Sequence, residues 1–395
     1  MENMEVTAHG YDFRAAHAAI QGSVDANVLP GFSAATLVGR DLVDVACMGW
    51  ADREARKPLR LDHIFRIFSN TKLVTSCAAL LLFDEGCFEL DDPIDRFIPQ
   101  LADRRVLRAG ATSLDQTERA SNPITVRQLM SHTSGLGSGV FDRGTLIFDA
   151  YNRHKVVDRE TTLAEMVEAL ADLPLVFQPG TSWAYSVATD VLARLIETVS
   201  GQYFDAFIRS RIFEPLGMAD TGFVASDPHR LVTYYVGADQ SDPSKPVLNR
   251  VDDVPYPGAF LRHFPRKNAG MGLVSTLPDM VALMRSLQPG GPTLLKPDTI
   301  ELMMSNQVPD GCSIRFPGFG ELKGKGYGLA GGLILEPAPF EHQSAKGELF
   351  WGGRGGTYWW ISPRTSSAGL IMTQREMGIR PLSRLPAGAA RRGLS

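Results

Sequence analysis

Ser69 and Lys72 have the clearest potential for chemistry, because they lie three positions apart at the start of the apolar run 73–83. This run follows a short β-prone stretch, 63–68, and consists of helix-forming residues without charge. On a helix, residues three apart share a face, so the amine of Lys72 would lie near the hydroxyl of Ser69. The dipole and free N–H groups of a helix N-terminus favour developing negative charge. The pattern can therefore support attack by a serine nucleophile.

The same serine also has a purely structural interpretation. Serine is a preferred N-cap residue, and a capped apolar helix would have the same local sequence. Ser-x-x-Lys alone therefore does not separate an active site from a helix cap with a chance lysine. The choice depends on what else the chain contains.

Three further stretches contain residue types that acyl-transfer chemistry uses. They are Trp183-Ala184-Tyr185-Ser186, ahead of a helical pattern; Trp351-Gly352-Gly353, near a strand end; and His132-Thr133-Ser134-Gly135-Leu136. Each has an ordinary explanation as well. A tyrosine at a helix entrance is often a packed aromatic, paired glycines often mark a bulge, and the histidine segment is typical of a capped loop.

The elements that must position these motifs divide the chain into three parts. The first contains an amphipathic helix (11–28) and two β-prone runs (32–38 and 42–48) joined by a hairpin signal. The middle is dominated by helical patterns, at 124–130, 162–173, 187–199 and 203–213, with a polar loop-like stretch at 106–122. Strand-like runs return at 271–276, 326–335, 347–351, 357–361 and 368–373, with a helix at 278–287.

This arrangement predicts an α+β fold in which an antiparallel sheet is built from both ends of the chain and flanked by helices. A mostly helical domain would be inserted between the two halves of the sheet. The predicted boundaries are 1–90 for the first part of the α/β domain, 91–225 for the inserted domain and 226–395 for the second part. The basic tail, 379–395, lacks apolar periodicity and is expected to be loosely ordered.

Composition excludes several classes of function. The 395 residues carry a net charge of −4 without a basic cluster before the tail, so neither nucleic acid nor a membrane surface is indicated as a partner. No metal-ligand spacing and no phosphate-binding glycine loop occurs, so we expect no metal and no cofactor. The four cysteines form no Cys-x-x-Cys and are expected to be buried free thiols. Free thiols together with a polar N-terminal segment favour a cytoplasmic location. The sequence does not indicate an oligomeric state.

Together and in this order, the motifs resemble the serine β-lactamase-like superfamily, which includes class C β-lactamases, DD-peptidases and family VIII carboxylesterases. The resemblance covers nearly the whole chain. Its pieces are Leu29-Pro30-Gly31, Ser69-Asn70-Thr71-Lys72, His132-Thr133-Ser134-Gly135-Leu136, Pro179-Gly180, Pro215-Leu216-Gly217-Met218 with Thr221, and Trp351-Gly352-Gly353. The superfamily fold is an antiparallel sheet flanked by helices with an inserted helical domain, which agrees with the segmentation above.

The resemblance implies a role for several of these residues. Ser69 would be the nucleophile that forms an acyl-enzyme, and Lys72 and Tyr185 would share the general-base role. The backbone N–H groups of Ser69 and Arg354 would form the oxyanion hole. The substrate would be bound by Trp351, Gly352, Gly353 and Val187.

Two departures from the class C pattern bear on the substrate. Class C β-lactamases carry Tyr-x-Asn and Lys-Thr-Gly, where this chain has Val187 and Trp351-Gly352-Gly353. A cation at the third motif helps to bind the carboxylate of a β-lactam or D-Ala-D-Ala substrate, whereas Trp351 offers an apolar surface. The pattern is most similar to family VIII esterases. It predicts a serine carboxylesterase for small uncharged esters and leaves weak β-lactam hydrolysis open as a side activity.

Other activities of the same fold stay open at this point. An acyltransferase subgroup of the superfamily also carries tryptophan at the third motif, and a D-amino-acid amidase or a true β-lactamase is a further alternative. A non-catalytic binding protein is disfavoured, because Lys72 and Tyr185 would then have no reason to accompany Ser69. An α/β-hydrolase is disfavoured too, because Gly180-Thr181-Ser182-Trp183-Ala184 lacks the last glycine of Gly-x-Ser-x-Gly.

Overall fold

The structure, a computed structural model, describes residues 4–239, 245–316, 320–339 and 341–376. The described strands are β1 (Gly31–Val38), β2 (Asp41–Asp52), β3 (Lys57–Pro58), β4 (Phe65–Arg66), β5 (Arg105–Leu107), β6 (Thr117–Arg119), β7 (Tyr234–Gly237), β8 (Leu248–Val251), β9 (Val274–Ser275), β10 (Arg315–Phe316), β11 (Gly320–Glu321), β12 (Lys325–Tyr327), β13 (Gly332–Ile334), β14 (Leu349–Gly352), β15 (Tyr358–Ser362), β16 (Ser367–Met372) and β17 (Arg375–Glu376).

The described α-helices are α1 (Arg14–Asp25), α2 (Thr71–Asp84), α3 (Val126–Met130), α4 (Leu146–Arg153), α5 (Leu163–Ala171), α6 (Ala188–Ser200), α7 (Phe204–Ile208), α8 (Glu214–Leu216), α9 (Leu277–Ser286) and α10 (Pro297–Met303). A short 3-10 helix, Phe68–Asn70, leads directly into α2, and a π-helical segment, Arg209–Phe213, joins α7 to α8.

The main sheet has eight strands in the order β12-β13-β14-β15-β16-β1-β2-β3, and every pair of neighbours is antiparallel. Its centre joins the two ends of the chain, because β1 pairs with β16 in a register that sets Ser33 opposite Met372. The predicted α+β fold with a sheet built from both ends is therefore confirmed. The domain boundaries at 90/91 and 225/226 stay a prediction.

Helices cover both faces of this sheet. On one face, α1 buries Ala16, Ile20 and Val24, and Ile20 and Val24 belong to the same apolar cluster as Phe32 and Trp360 of the sheet. On the other face, α9 contacts β1 and β16, and α2 lies in the largest core cluster. Nearly every side chain of α2 is buried, which agrees with a helix that is apolar all round. The sequence therefore places the start of α2 deep in the molecule.

Capping residues define several element ends. Thr125 caps α3 and Thr162 caps α5, each in a capping box with the glutamine or glutamate three residues later. Gly201, in the left-handed conformation, ends α6 as expected.

Two predicted segments differ from the structure. The single strand predicted at 326–335 is two strands, β12 and β13, because the N–H of Gly328 donates to the carbonyl of Gly331 and closes a turn between them. The loop predicted at 106–122 overlaps the short strand β5 and contains its antiparallel partner β6.

The remaining expectations concern the thiols, the termini and membranes. All four cysteines are free, but only Cys77 is buried; Cys47 and Cys312 are partly exposed and Cys87 is exposed, so the prediction of buried thiols was wrong for those three. The expected looseness of the tail lies outside the described residues. Within the described ranges, no helix combines the length and the apolar character needed to cross a bilayer.

Candidate active site

Ser69 lies in the sharp turn between β4 and α2. Phe68, just before it, has a φ of 42°, a left-handed conformation that is costly for a residue with a side chain and is often found at functional sites. The ring of Phe68 is fully buried, whereas Ser69 is partly exposed. The turn thus leaves Ser69 partly accessible to solvent beside a fully buried ring.

The helix cap, the structural alternative for Ser69, is not what the structure shows. The N-cap residue of α2 is Asn70, and no side chain caps this helix end by a hydrogen bond. The hydroxyl of Ser69 instead accepts a hydrogen bond from the hydroxyl of Tyr185, with 2.8 Å between the two oxygens. Its partner is therefore a side chain 116 residues away rather than the local backbone.

Tyr185 lies in the segment ahead of α6 and is 8% exposed. The indole Nε1 of Trp351 donates to its hydroxyl over 3.4 Å, and the two rings lie 5.6 Å apart. The phenol oxygen thus connects the first motif, at Ser69, with the third, at Trp351. These three residues, predicted separately from distant parts of the chain, meet at one place.

Lys72 is 5% exposed and lies one turn below Ser69. Its Nζ is 4.4 Å from the centre of the Tyr185 ring and donates to the carbonyl of Gly270 over 2.7 Å. A cation this close to a buried aromatic face is held by the ring quadrupole as well as by the carbonyl dipole. The structure therefore brings Ser69, Lys72 and Tyr185 together.

A second layer of polar residues supports this trio, and the sequence interpretation gave it no role. His132 is buried, its Nδ1 lies 3.1 Å from Oγ of Ser186, and its ring is 4.9 Å from that of Tyr185. Burial and the charge of Lys72 hold the pKa of His132 well below its usual value, so the imidazole is neutral.

Asp190 belongs to the same layer. Its Oδ1 accepts from the N–H of Ala269, over 2.9 Å, in the loop whose Gly270 carbonyl binds Lys72. Burial raises the pKa of Asp190, and the charges of Arg266 and Lys72 oppose that rise. A sequence signal existed: Asp190 stands between Val187 and Val191 on the apolar side of α6.

Aromatic rings surround Tyr185. Besides Trp351, the rings of Phe316 and Phe141 lie 5.3 and 5.6 Å from that of Tyr185. Tyr327 lies 5.2 Å from Trp351, and Trp183 lies 5.4 Å from Phe316. Burial raises the pKa of Tyr327 well above its usual value, so this phenol stays neutral. The wall of the site is therefore apolar.

The glycines of the third motif allow a close approach between two segments. A Cβ on Gly353 would come within 2.4 Å of the carbonyl oxygen of Ile67, two residues before Ser69. The hydroxyl of Thr357 donates to the same carbonyl over 3.2 Å. Since only glycine fits at 353, the loop carrying Arg354 packs directly on the turn that carries Ser69.

Val187 is the remaining predicted site residue. It is the N-cap of α6, it is 7% exposed, and its N–H donates to the carbonyl of Gly137 over 3.0 Å. The structure thus joins Val187 to the loop at Gly137, and its predicted contact with substrate stays a prediction.

Comparison with known proteins agrees with this geometry. The Beta-lactamase family model matches residues 16–391. The chain belongs to the Beta-lactamase family. Esterase EstB of Burkholderia gladioli is 30% identical over 338 residues, which cover 82% of this chain and 81% of EstB. Lovastatin esterase of Penicillium rubens is 30% identical over 336 residues, 80% of each chain.

Solved structures show the same fold. Simvastatin synthase (LovD) from Aspergillus terreus superimposes with a TM-score of 0.79 at 23% identity, over 98% of both chains. With esterases of this family among its sequence relatives, the chain is a serine hydrolase.

Proposed function

We propose that this Beta-lactamase family member is a carboxylesterase that hydrolyses small uncharged esters through an acyl-enzyme on Ser69. The observation that carries the proposal is the hydrogen bond of 2.8 Å between the hydroxyls of Ser69 and Tyr185, with the Lys72 ammonium 4.4 Å from the Tyr185 ring. A nucleophile hydrogen-bonded to a group that can take its proton is the usual signature of covalent catalysis. The motif pattern most similar to family VIII esterases supports the same assignment.

In the proposed first step, Oγ of Ser69 attacks the ester carbonyl carbon and its proton passes to the Tyr185–Lys72 pair. The carbonyl oxygen becomes an oxyanion that the N–H groups of Ser69 and Arg354 would bind. The tetrahedral intermediate then breaks its bond to the alcohol, which leaves with a proton from Tyr185. Water repeats the sequence on the acyl-enzyme and releases the acid.

The preference for uncharged esters rests on what surrounds Tyr185. Phe141, Phe316 and Trp351 present rings to it, so the site suits apolar acyl or alcohol groups. The nearby cations are already engaged, since Lys72 binds the Gly270 carbonyl and Arg354 is ion-paired with Glu376. Of the cations that the described residues place here, neither Lys72 nor Arg354 is free to pair with a substrate carboxylate.

The experiment compares p-nitrophenyl acetate, butyrate and octanoate with nitrocefin, for the wild type and for Ser69→Ala. Ser113→Ala, at a partly exposed site, is the matched control. We expect ester turnover that Ser69→Ala abolishes and Ser113→Ala retains, with an acyl adduct on Ser69 seen by mass spectrometry. Nitrocefin turnover well above ester turnover would replace the esterase by a β-lactamase. Ester turnover that survives in Ser69→Ala would exclude the proposed nucleophile.

Acyl transfer is the second candidate, because the aromatic wall also suits an organic alcohol as acceptor. It is tested by supplying benzyl alcohol with p-nitrophenyl butyrate and measuring the ratio of benzyl butyrate to butyric acid. A ratio that rises to a plateau with alcohol concentration would indicate an acceptor site. A ratio that stays near zero supports hydrolysis.

A further inference from the structure

The segment Trp351-Gly352-Gly353-Arg354-Gly355-Gly356, here called the oxyanion loop, combines two opposing properties. Four of its six residues are glycine, the residue with the greatest backbone freedom. Yet the N–H of Arg354, the proposed oxyanion donor, stabilises a transition state only if it is already held in place. Something outside the loop must therefore restrict it.

The side chain of Arg354 makes the connection that can do this. Its Nε donates to Oε1 of Glu376 over 2.9 Å, and its Nη2 lies at the same distance from that oxygen. The second carboxylate oxygen, Oε2, accepts from the hydroxyl of Tyr234 over 3.1 Å. Both oxygens of Glu376 thus have a partner, one in the oxyanion loop and one on β7.

Tyr234 also contacts both sides of the proposed oxyanion hole. Its ring lies 5.8 Å from that of Phe68, which precedes Ser69. A Cβ on Gly355 would lie 3.1 Å from its Cε2 atom, so the oxyanion loop packs on the same ring. Tyr234 is 1% exposed, and β7 is paired in parallel with β17, which carries Glu376. The hydrogen-bonded link from Arg354 through Glu376 therefore ends at a buried residue of β7.

We infer that Glu376 and Tyr234 are positioning residues that hold the oxyanion loop through the side chain of Arg354. This inference rests on the proposed function, because the loop binds an oxyanion only in the proposed mechanism. The guanidinium side chain is 42% exposed and that of Glu376 is 16% exposed, and an ion pair this open contributes little to overall stability. Its loss should therefore alter the loop and the chemical step while the protein stays folded.

The first test measures activity of Glu376→Gln, Arg354→Met and the double variant with p-nitrophenyl butyrate. Because loss of an oxyanion donor costs about 100- to 1,000-fold in rate, a donor that is present but loosened should cost about tenfold in kcat, with KM within twofold. The double variant should be no slower than the slower single variant, since both changes break the same hydrogen-bonded link. The matched control is the remote exposed ion pair of Lys346 and Glu336, as Glu336→Gln and Lys346→Met.

The second readout is amide hydrogen exchange of 352–356, which does not depend on turnover. We expect faster exchange in Glu376→Gln and Tyr234→Phe than in the wild type, and no change in the Glu336→Gln control. The inference would be overturned if the Glu376→Gln and Tyr234→Phe variants kept the wild-type exchange and a kcat within twofold of wild type. The proposed function would survive that result, because the wild type would still hydrolyse esters. Wild-type protein without Ser69-dependent turnover would instead refute the proposed function, whatever the exchange shows. If the kcat losses of Glu376→Gln and Arg354→Met multiplied in the double variant, the two side chains would act independently. That result would also overturn the inference.

Discussion

The ammonium of Lys72 lies over the ring of Tyr185, 4.4 Å from its centre, while its hydrogen bond goes to the carbonyl of Gly270, 2.7 Å away. The lysine is thus held by a loop on one side and by an aromatic face on the other. This arrangement places a buried positive charge beside the phenol that is hydrogen-bonded to Ser69. The amine of Lys72 and the hydroxyl of Ser69 therefore both contact Tyr185, so the phenol lies where a group that accepts the serine proton is needed.

Removing either partner should therefore stop acylation. Lys72→Met and Tyr185→Phe are each expected to lower kcat/KM for p-nitrophenyl butyrate by at least about 100-fold, the usual contribution of general-base catalysis. The double variant should lose little more than either single one, because the pair acts as a unit. Tyr203→Phe, at a site 79% exposed, is the matched control and should keep wild-type rates. Near-normal turnover in Tyr185→Phe would refute its role.

Gly353→Ala tests the close approach of the oxyanion loop. The added Cβ would meet the Ile67 carbonyl at 2.4 Å, so the loop must move and carry the N–H of Arg354 with it. We expect a loss in kcat approaching 100-fold, measured with p-nitrophenyl butyrate.

Gly22→Ala is the control for that substitution. Gly22 lies in α1, where an added methyl group would meet no atom of another segment within 4 Å, so activity should stay unchanged. Replacing a mid-helix glycine should also raise the free energy of unfolding by about 0.5 to 1 kcal/mol. If Gly353→Ala were as active as Gly22→Ala, the loop would not carry an oxyanion donor.

Asp190→Asn should change how stability depends on pH. Burial raises the pKa of Asp190 in the folded protein above its ordinary 3.8, so the folded state binds this proton more tightly than the unfolded state. The contribution of Asp190 to stability is therefore present below pH 3.8 and is lost as pH rises through the folded pKa. Denaturant titrations give the wild-type free energy of unfolding minus that of Asp190→Asn. This difference should decrease as the pH rises from 3.8 through the folded pKa.

Asp220→Asn provides a control of opposite sign. The hydrogen-bonded ion pair with Arg230 lowers the pKa of Asp220, so its contribution is present above the ordinary pKa and is lost as pH falls through the folded value. The same difference, taken with Asp220→Asn, should fall toward acid pH. Parallel slopes for the two aspartates would contradict the assignment for Asp190.

The substitution Trp351→Phe separates the effect of the Trp351 hydrogen bond on activity from the effect of its aromatic ring. Phenylalanine keeps an aromatic wall beside Tyr185 but removes the Nε1 donor, whose 3.4 Å distance marks a weak bond. Since a neutral hydrogen bond contributes about 0.5 to 1.5 kcal/mol, kcat/KM should fall by about threefold. Trp360→Phe, in the apolar cluster under α1, controls for a general effect on packing. A loss of about 100-fold would instead make the indole N–H part of the chemistry.

Local signals predicted much of the fold and the centre of the site. The caps at Thr125 and Thr162 and the stop at Gly201 depend on residues within one helical turn, so the sequence alone contains them. Ser69, Lys72, Tyr185 and Trp351 were recognisable because their residue types and their order along the chain are distinctive.

The rest depends on contacts between distant segments. Glu376 meets Arg354 only because β17 pairs with β7, and nothing in the sequence near either residue indicates that pairing. The position of Asp190 on the apolar side of α6 indicates burial, but its partner Ala269 lies in a loop that only the packing of the chain brings to α6. In both cases tertiary packing, rather than local preference, gives the side chain its surroundings.

The pairing of β1 with β16 affects how this polypeptide can mature during synthesis. Ser33 lies opposite Met372, which leaves the ribosome more than 300 positions later. At about 5 to 20 residues per second, translation leaves that side of β1 without its strand partner for roughly 15 to 70 s. An open strand edge invites pairing with other nascent chains. Chaperone binding near the N-terminus would thus matter more for the yield of this protein than for one whose sheet closes between consecutive strands.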